Sequence, residues 1–229
     1  MLLLISLSIS AQKTIHDDNA ISRPTIGYHA IEISDGIDLY LSQGTEEGVA
    51  VSGSTNEYRD KIKVEVANGV LKIYFEKQNS WGMSWGNKKL KAYVSVKSID
   101  KITASGGSDV FIENELNIPE LSLNINGGAD FKGKVITKEL SLFAHGGSDA
   151  YLTGKTDKIN IKASGGSDVH AYEMIANYCI VETSGGSDVR ITVNNQINGQ
   201  ANGGSDIYYK GSASSSVNKS GRSNVKKTH

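Results

Sequence analysis

The sequence predicts an all-β protein: a parallel β-helix, or solenoid, of 18–21 residues per coil with a β-rich N-terminal cap region. Three observations carry that expectation. A Gly-Gly-Ser-Asp word recurs at Gly106–Asp109, Gly146–Asp149, Gly165–Asp168, Gly185–Asp188 and Gly203–Asp206, with an alanine variant at Gly127–Asp130. Apolar and polar residues alternate on both sides of each word, the pattern of a strand with one buried face. The 229 residues include 25 Gly but only 2 Pro and 1 Cys. The glycine is therefore concentrated at turns, and neither a disulfide framework nor a multi-cysteine metal centre can form.

Along the chain, Met1–Ala11 reads MLLLISLSISA, an apolar run ending in small residues that looks like a secretory signal, shortened because no basic residue precedes it. It is too short to cross a bilayer, which takes about 20 apolar residues. Residues 12–24 are polar and read as a linker. Residues 25–100 lack the Gly-Gly word but alternate throughout, as in Ile37-Asp38-Leu39-Tyr40-Leu41 and Ile62-Lys63-Val64-Glu65-Val66, and Asn68-Gly69 is a hairpin signal. They predict a β-rich cap, partly antiparallel and continuous with the solenoid. Residues 101–210 hold the repeat. Residues 211–229 predict a degenerate last coil, with a decayed word at Gly221-Arg222-Ser223-Asn224, and a basic tail.

Successive first glycines are 21, 19, 19, 20 and 18 residues apart. A propeller blade of four strands needs about 40 residues, so the period suits one coil of a solenoid better than a blade or a series of hairpins. Four residues before the glycine stand Ile102, Leu123, Leu142, Ile161 and Val181, and directly after the aspartate come Val110, Phe131, Ala150, Val169, Val189 and Ile207. In-register stacking turns each such column into a ladder with rungs about 4.8 Å apart. It also lines up Asp109, Asp130, Asp149, Asp168, Asp188 and Asp206. Neighbouring carboxylates at that spacing repel by about 1 kcal/mol in water and about 3–4 kcal/mol at an effective dielectric of 20, so something must compensate. Two compensations are open: backbone N–H groups of each aspartate's own glycine turn, with the serine hydroxyl helping, or a row of calcium ions, which favour carboxylate and carbonyl oxygen.

With 24 Lys+Arg against 25 Asp+Glu and a net charge of −1, no field recruits nucleic acid. The histidines His16, His29, His145, His170 and His229 have no metal spacing, and no HExxH, GxSxG, Walker or dinucleotide word is present. The sequence thus predicts a non-enzyme with no cofactor. Trp81 and Trp85, on the glycine-flexed segment Ser80–Gly86, are candidate ligand contacts, or else close one end of the core.

The words Ser105–Val110, Asn126–Phe131, Ser164–Val169, Ser184–Val189 and Asn202–Ile207, after a signal-like start and the strand Gly36-Ile37-Asp38-Leu39, resemble the bacterial family described as "putative auto-transporter adhesin, head GIN domain". Phe131, Ala129 and the Gly221-Arg222 copy depart from the consensus of the words. The resemblance implies an exported β-helical protein of Gram-negative bacteria acting at the cell surface, in the periplasm or outside the cell, and brings no catalytic residues. The expected function is a surface adhesin or interaction module contacting glycan or protein. A structural envelope scaffold and a calcium-stabilised solenoid are the alternatives. No segment of the mature chain is expected to span a membrane.

Overall fold

Two short strands joined by a glycine corner carry an apolar stripe that only another such pair can cover. The structure, a computed structural model, describes residues 17–76 and 88–228. Within them these pairs stack as a parallel β-solenoid of about seven turns. The signal-like start and both tryptophans lie outside the described residues.

The chain begins with β1 (Ile21–Ser22), β2 (Ala30–Ile33), β3 (Asp38–Gln43), β4 (Gly48–Ser52) and a short helix α1 (Asn56–Asp60). Next come β5 (Ile62–Ala67), β6 (Val70–Phe75), β7 (Lys91–Val96), β8 (Lys101–Ala104), β9 (Val110–Ile112), β10 (Leu116–Asn117) and β11 (Glu120–Asn126). Four long strands, β12 (Phe131–His145), β13 (Ala150–Ser164), β14 (Asp168–Thr183) and β15 (Asp188–Ala201), each run round most of a coil. β16 (Asp206–Lys210), β17 (Ser214–Lys219) and β18 (Asn224–Lys227) finish the stack.

Every coil has two flanks, one before the glycine corner and one after it. The flank before the corner holds one apolar ladder, Leu71, Ile31, Ile102, Leu123, Leu142, Ile161 and Val181, each paired in register with the next. All seven are fully buried. At about 1.5–3 kcal/mol per buried aliphatic side chain, such ladders supply the cohesion of the stack.

Chain order and stacking order differ at the N-terminal end. β2 pairs in parallel with both β6 and β8, and β3 with both β7 and β9. The coil of residues 30–43 is therefore sandwiched between the later coils 70–96 and 101–112. Its corner is Ser34-Asp35-Gly36-Ile37-Asp38, a disguised copy of the repeat word, in which Asp35 (φ 65°) and Gly36 (φ 73°) match Gly106 (φ 64°) and Gly107 (φ 73°). The outermost coil is closed by antiparallel strands: β5 on β6 through the Asn68-Gly69 turn (φ 52° and 75°), and β4 on β7, with β1 on β4.

The other end is closed by chemistry. In the last described coil Lys219 takes the place of buried Ala201, Ser215 that of Ile197 and Lys227 that of Tyr209, and all three are exposed. Burying an unpaired ammonium against another core is prohibitive, so these lysines oppose growth of the stack. Restoring the coil below with Lys219→Ala and Lys227→Tyr is expected to produce concentration-dependent self-association in size-exclusion chromatography with light scattering; a variant that elutes like wild type at all concentrations would refute this role.

Candidate functional site

The aspartates do stack in register, and their compensation comes from the neighbouring coil. Asp109 Oδ1 accepts the backbone N–H of Asp130 (3.1 Å), Asp130 Oδ1 that of Asp149 (2.9 Å), Asp149 Oδ1 that of Asp168 (3.2 Å), Asp168 Oδ1 that of Asp188 (3.2 Å) and Asp206 Oδ1 that of Asn224 (2.9 Å). Asp188 is paired instead with Arg190 (3.0 Å). This corrects the expectation that each carboxylate bonds within its own turn. The serines correct it too: fully buried Ser148, Ser167, Ser187 and Ser205 donate to the carbonyls of His145, Ser164, Ser184 and Asn202, each three residues back, and so close the turn rather than assist the carboxylate. Among the described residues no cluster of three or more His, Cys, Asp or Glu side chains is placed to hold a metal ion.

At the N-terminal end of this row Asp38 and Asp109 are held above the ordinary carboxylate pKa. Burial is the larger cause in both, with the charge of the next aspartate adding to it and the N–H from the next coil opposing it. With the folded pKa raised, the native state holds more protons than the unfolded chain between the two values, so the contribution of these groups to stability falls as pH rises through that window and stays lost at neutrality. Two results follow for urea denaturation. Asp109→Asn keeps an oxygen acceptor for Asp130 N–H and removes the charge, so at pH 7 it should be as stable as wild type or more so, with any gain shrinking as pH falls below the window. Asp149→Ala leaves Asp168 N–H without its acceptor and should lose about 1–3 kcal/mol; equal losses in both variants would contradict this account of the row.

Two residues past the aspartate, on the same flank, runs a second outward ladder. Tyr93, Tyr40, Phe111, Lys132, Tyr151, His170, Arg190, Tyr208 and Lys226 are register partners in succession over nearly the whole stack. Aromatic rungs meet at stacking distance: Tyr40 lies 5.3 Å from both Tyr93 and Phe111, and Tyr151 lies 4.6 Å from His170 with the rings 6° from parallel. The row is tied to the carboxylates through Arg190 and through the Tyr208 hydroxyl, which donates to Asp206 Oδ2 at 2.8 Å. Arg190 also lies over the Tyr208 ring, at 5.6 Å, and its Nη1 is buried without a partner. In the Tyr208-Tyr209 pair, Tyr208 faces out and Tyr209 is buried. The two rows together offer aromatic edges, guanidinium and ammonium groups beside carboxylates, a surface suited to contact with polar partners.

Nothing in these rows assembles a nucleophile with a base. His29 pairs with Asp100 (2.9 Å), His145 with Ser164 (2.7 Å), and His170 stacks on Tyr151. Cys179 is buried and its thiol is pushed up to about 12 by that burial, which leaves it unreactive.

Fold and register together define a parallel β-solenoid with a repeated glycine corner. The chain belongs to the family described as "putative auto-transporter adhesin, head GIN domain", whose model matches residues 27–213. Its fold is shared with the crystal structure of a "putative adhesin" from Bacteroides fragilis (TM-score 0.83, 21% identity, 93% of this chain and 98% of that one). It is shared also with a "putative adhesin" from Parabacteroides distasonis (TM-score 0.71, 16% identity, 91% and 96%) and a "putative lipid binding protein" from the same species (TM-score 0.67, 18% identity, 93% and 98%). At these identities the likeness is one of fold. Among curated proteins none matches. Among the described residues no helix is long and apolar enough to cross a membrane.

Proposed function

We propose that the protein is an exported, non-enzymatic interaction module that works at the cell surface by laying one flank of its solenoid against glycan or protein. The observation that carries this is the aromatic and basic ladder from Tyr93 to Lys226 beside the aspartate row. Stacking alone asks only that each rung be compatible with its neighbours, and short polar side chains would meet that need. Large rings and a guanidinium in this row instead supply the residue types enriched where surfaces meet. The signal-like Met1–Ala11 and the adhesin labels of the family support export and contact. Trp81 and Trp85 belong to the same proposal as a second contact.

The test is binding of the purified full chain to intact cells and to a glycan array. Loss of about tenfold in affinity for Tyr151→Ala and for Arg190→Ala is expected, with a separate loss for the Trp81→Ala, Trp85→Ala pair. A wild-type protein that binds no surface component would give the place of this reading to an envelope scaffold.

A further inference from the structure

The flank before the corner carries a feature that stacking does not require. Its outward row reads Glu32, Thr103, Asn124, Phe143, Lys162, Glu182, Gln200 and Asn218, register partners in succession. Seven of these are polar and one is an aromatic ring, with 36% of Phe143 left in solvent. Phe143 lines a groove of about 500 Å³ together with Asn124, Asn126, His145 and the corner glycines Gly127 and Gly146. The groove exists because of what these residues are. Asn124 and Asn126 lie one coil below the larger Phe143 and His145, which makes a step. Gly127 and Gly146 bring no side chains to the corner beside it, so a ligand can approach the backbone there.

The chemistry of the lining selects the ligand. No carboxylate, lysine or arginine lines it, and the nearest cation in the row, Lys162, is paired with Glu182 on the side away from it (3.0 Å). Charged ligands therefore find no counterion. Asn126 makes no side-chain hydrogen bond among the described residues, and Asn124 makes only a long one to Ser122 (3.4 Å). His145 engages Ser164 through Nδ1, which leaves Nε2 for a ligand. Amides that donate and accept at once, set around one apolar ring, match a molecule with alternating hydroxyls on its rim and a C–H face.

We propose that this groove is a subsite for an uncharged sugar ring, which lies on Phe143 with its hydroxyls on Asn124, Asn126 and His145 Nε2. The proposal rests on the adhesive reading above and deepens it, since it names a ligand class and places it on the other flank. Saturation-transfer NMR on the full chain, with a panel of neutral hexose and N-acetylhexosamine oligosaccharides and acidic ones for comparison, tests it. The neutral sugars should show transfer, about tenfold weaker binding with Phe143→Ala and with Asn126→Leu, and unchanged binding with Lys155→Ala, an exposed residue outside the groove and the ladder. Phe143 is an exposed side chain and Asn126 points outward, so thermal melts should show both variants folded. Binding that survives Phe143→Ala, or that is lost in Lys155→Ala, would overturn the groove as the site. Absence of any neutral-sugar signal while the protein still binds cells would overturn it too and leave the adhesive reading standing; absence of both would sink the two together.

Discussion

Gly185→Ala is expected to lower the stability of the protein by about 3–4 kcal/mol, measured by urea denaturation. The residue sits at φ 74°, where an L side chain costs about 1–2 kcal/mol. An added Cβ would also lie 2.7 Å from the Gly165 carbonyl oxygen and 3.1 Å from its nitrogen. Both are backbone atoms of the coil below, and the register of the whole stack prevents them from yielding. Two other glycines of the same word separate these effects. Gly107 has φ 73° but nothing within 4 Å of an added Cβ, so Gly107→Ala should lose only the backbone strain, about 1–2 kcal/mol. Gly166 has neither positive φ nor a close neighbour, and alanine there should be neutral or stabilise by up to about 1 kcal/mol through the unfolded chain. Equal losses at all three positions would refute the role assigned to the corner.

That contrast also marks where the sequence stops being legible. Gly107 and Gly166 occupy the same place in identical words, yet the corners at Gly106, Gly127 and Gly146 put both glycines at positive φ, while those at Gly165, Gly185 and Gly203 put only the first there. At Gly185 and Gly203 the second residue's N–H reaches the first glycine's carbonyl one coil below, Gly186 to Gly165 (2.8 Å) and Gly204 to Gly185 (2.8 Å). Such a peptide orientation is a property of the stack, and no single word encodes it. It does explain the decayed copy: Arg222 stands at that second position, where no positive φ is needed, and its N–H makes the same bond to Gly203 (2.7 Å).

The repeat, the buried columns and the Asn68-Gly69 hairpin could be read because each rests on local periodicity or turn chemistry. The coil of residues 30–43 was hidden because Asp35 replaces the first glycine, in the left-handed region that Asp tolerates better than most residues. Its insertion between later coils depends on long-range pairing that no local pattern records. The outward ladder was present in the aligned repeats, two places beyond each aspartate, as Phe111, Lys132, Tyr151, His170, Arg190 and Tyr208. It is not legible there as a row, because residues of mixed type form one only once the register is known. The groove at Phe143 depends in the same way on which residue lies one coil below another.

Phe131→Ala is expected to be the other severe substitution, with a loss of about 3–5 kcal/mol. In sequence Phe131 looks like a flaw in a column of Val110, Val169, Val189 and Ile207, yet it is among the largest fully buried side chains. Its neighbours make room. Directly above it in the column is Ala150, the smallest residue there. Two residues along its own strand is Gly133, where an added Cβ would come within 3.3 Å of Phe131 Cζ and collide with the Ile112 side chain. Phe131, Ala150 and Gly133 are therefore one packing unit, in which one large residue offsets two small ones so that core volume is kept while no single position follows the consensus. A double-mutant cycle tests this directly. Ala150→Val alone should overpack against the ring and lose about 1–3 kcal/mol, and Phe131→Val alone should leave a void. The pair combined should lose less than the sum of the two, since the added methyls enter the space the ring vacates. Additivity to within about 0.5 kcal/mol would mean that the two sites do not share that space.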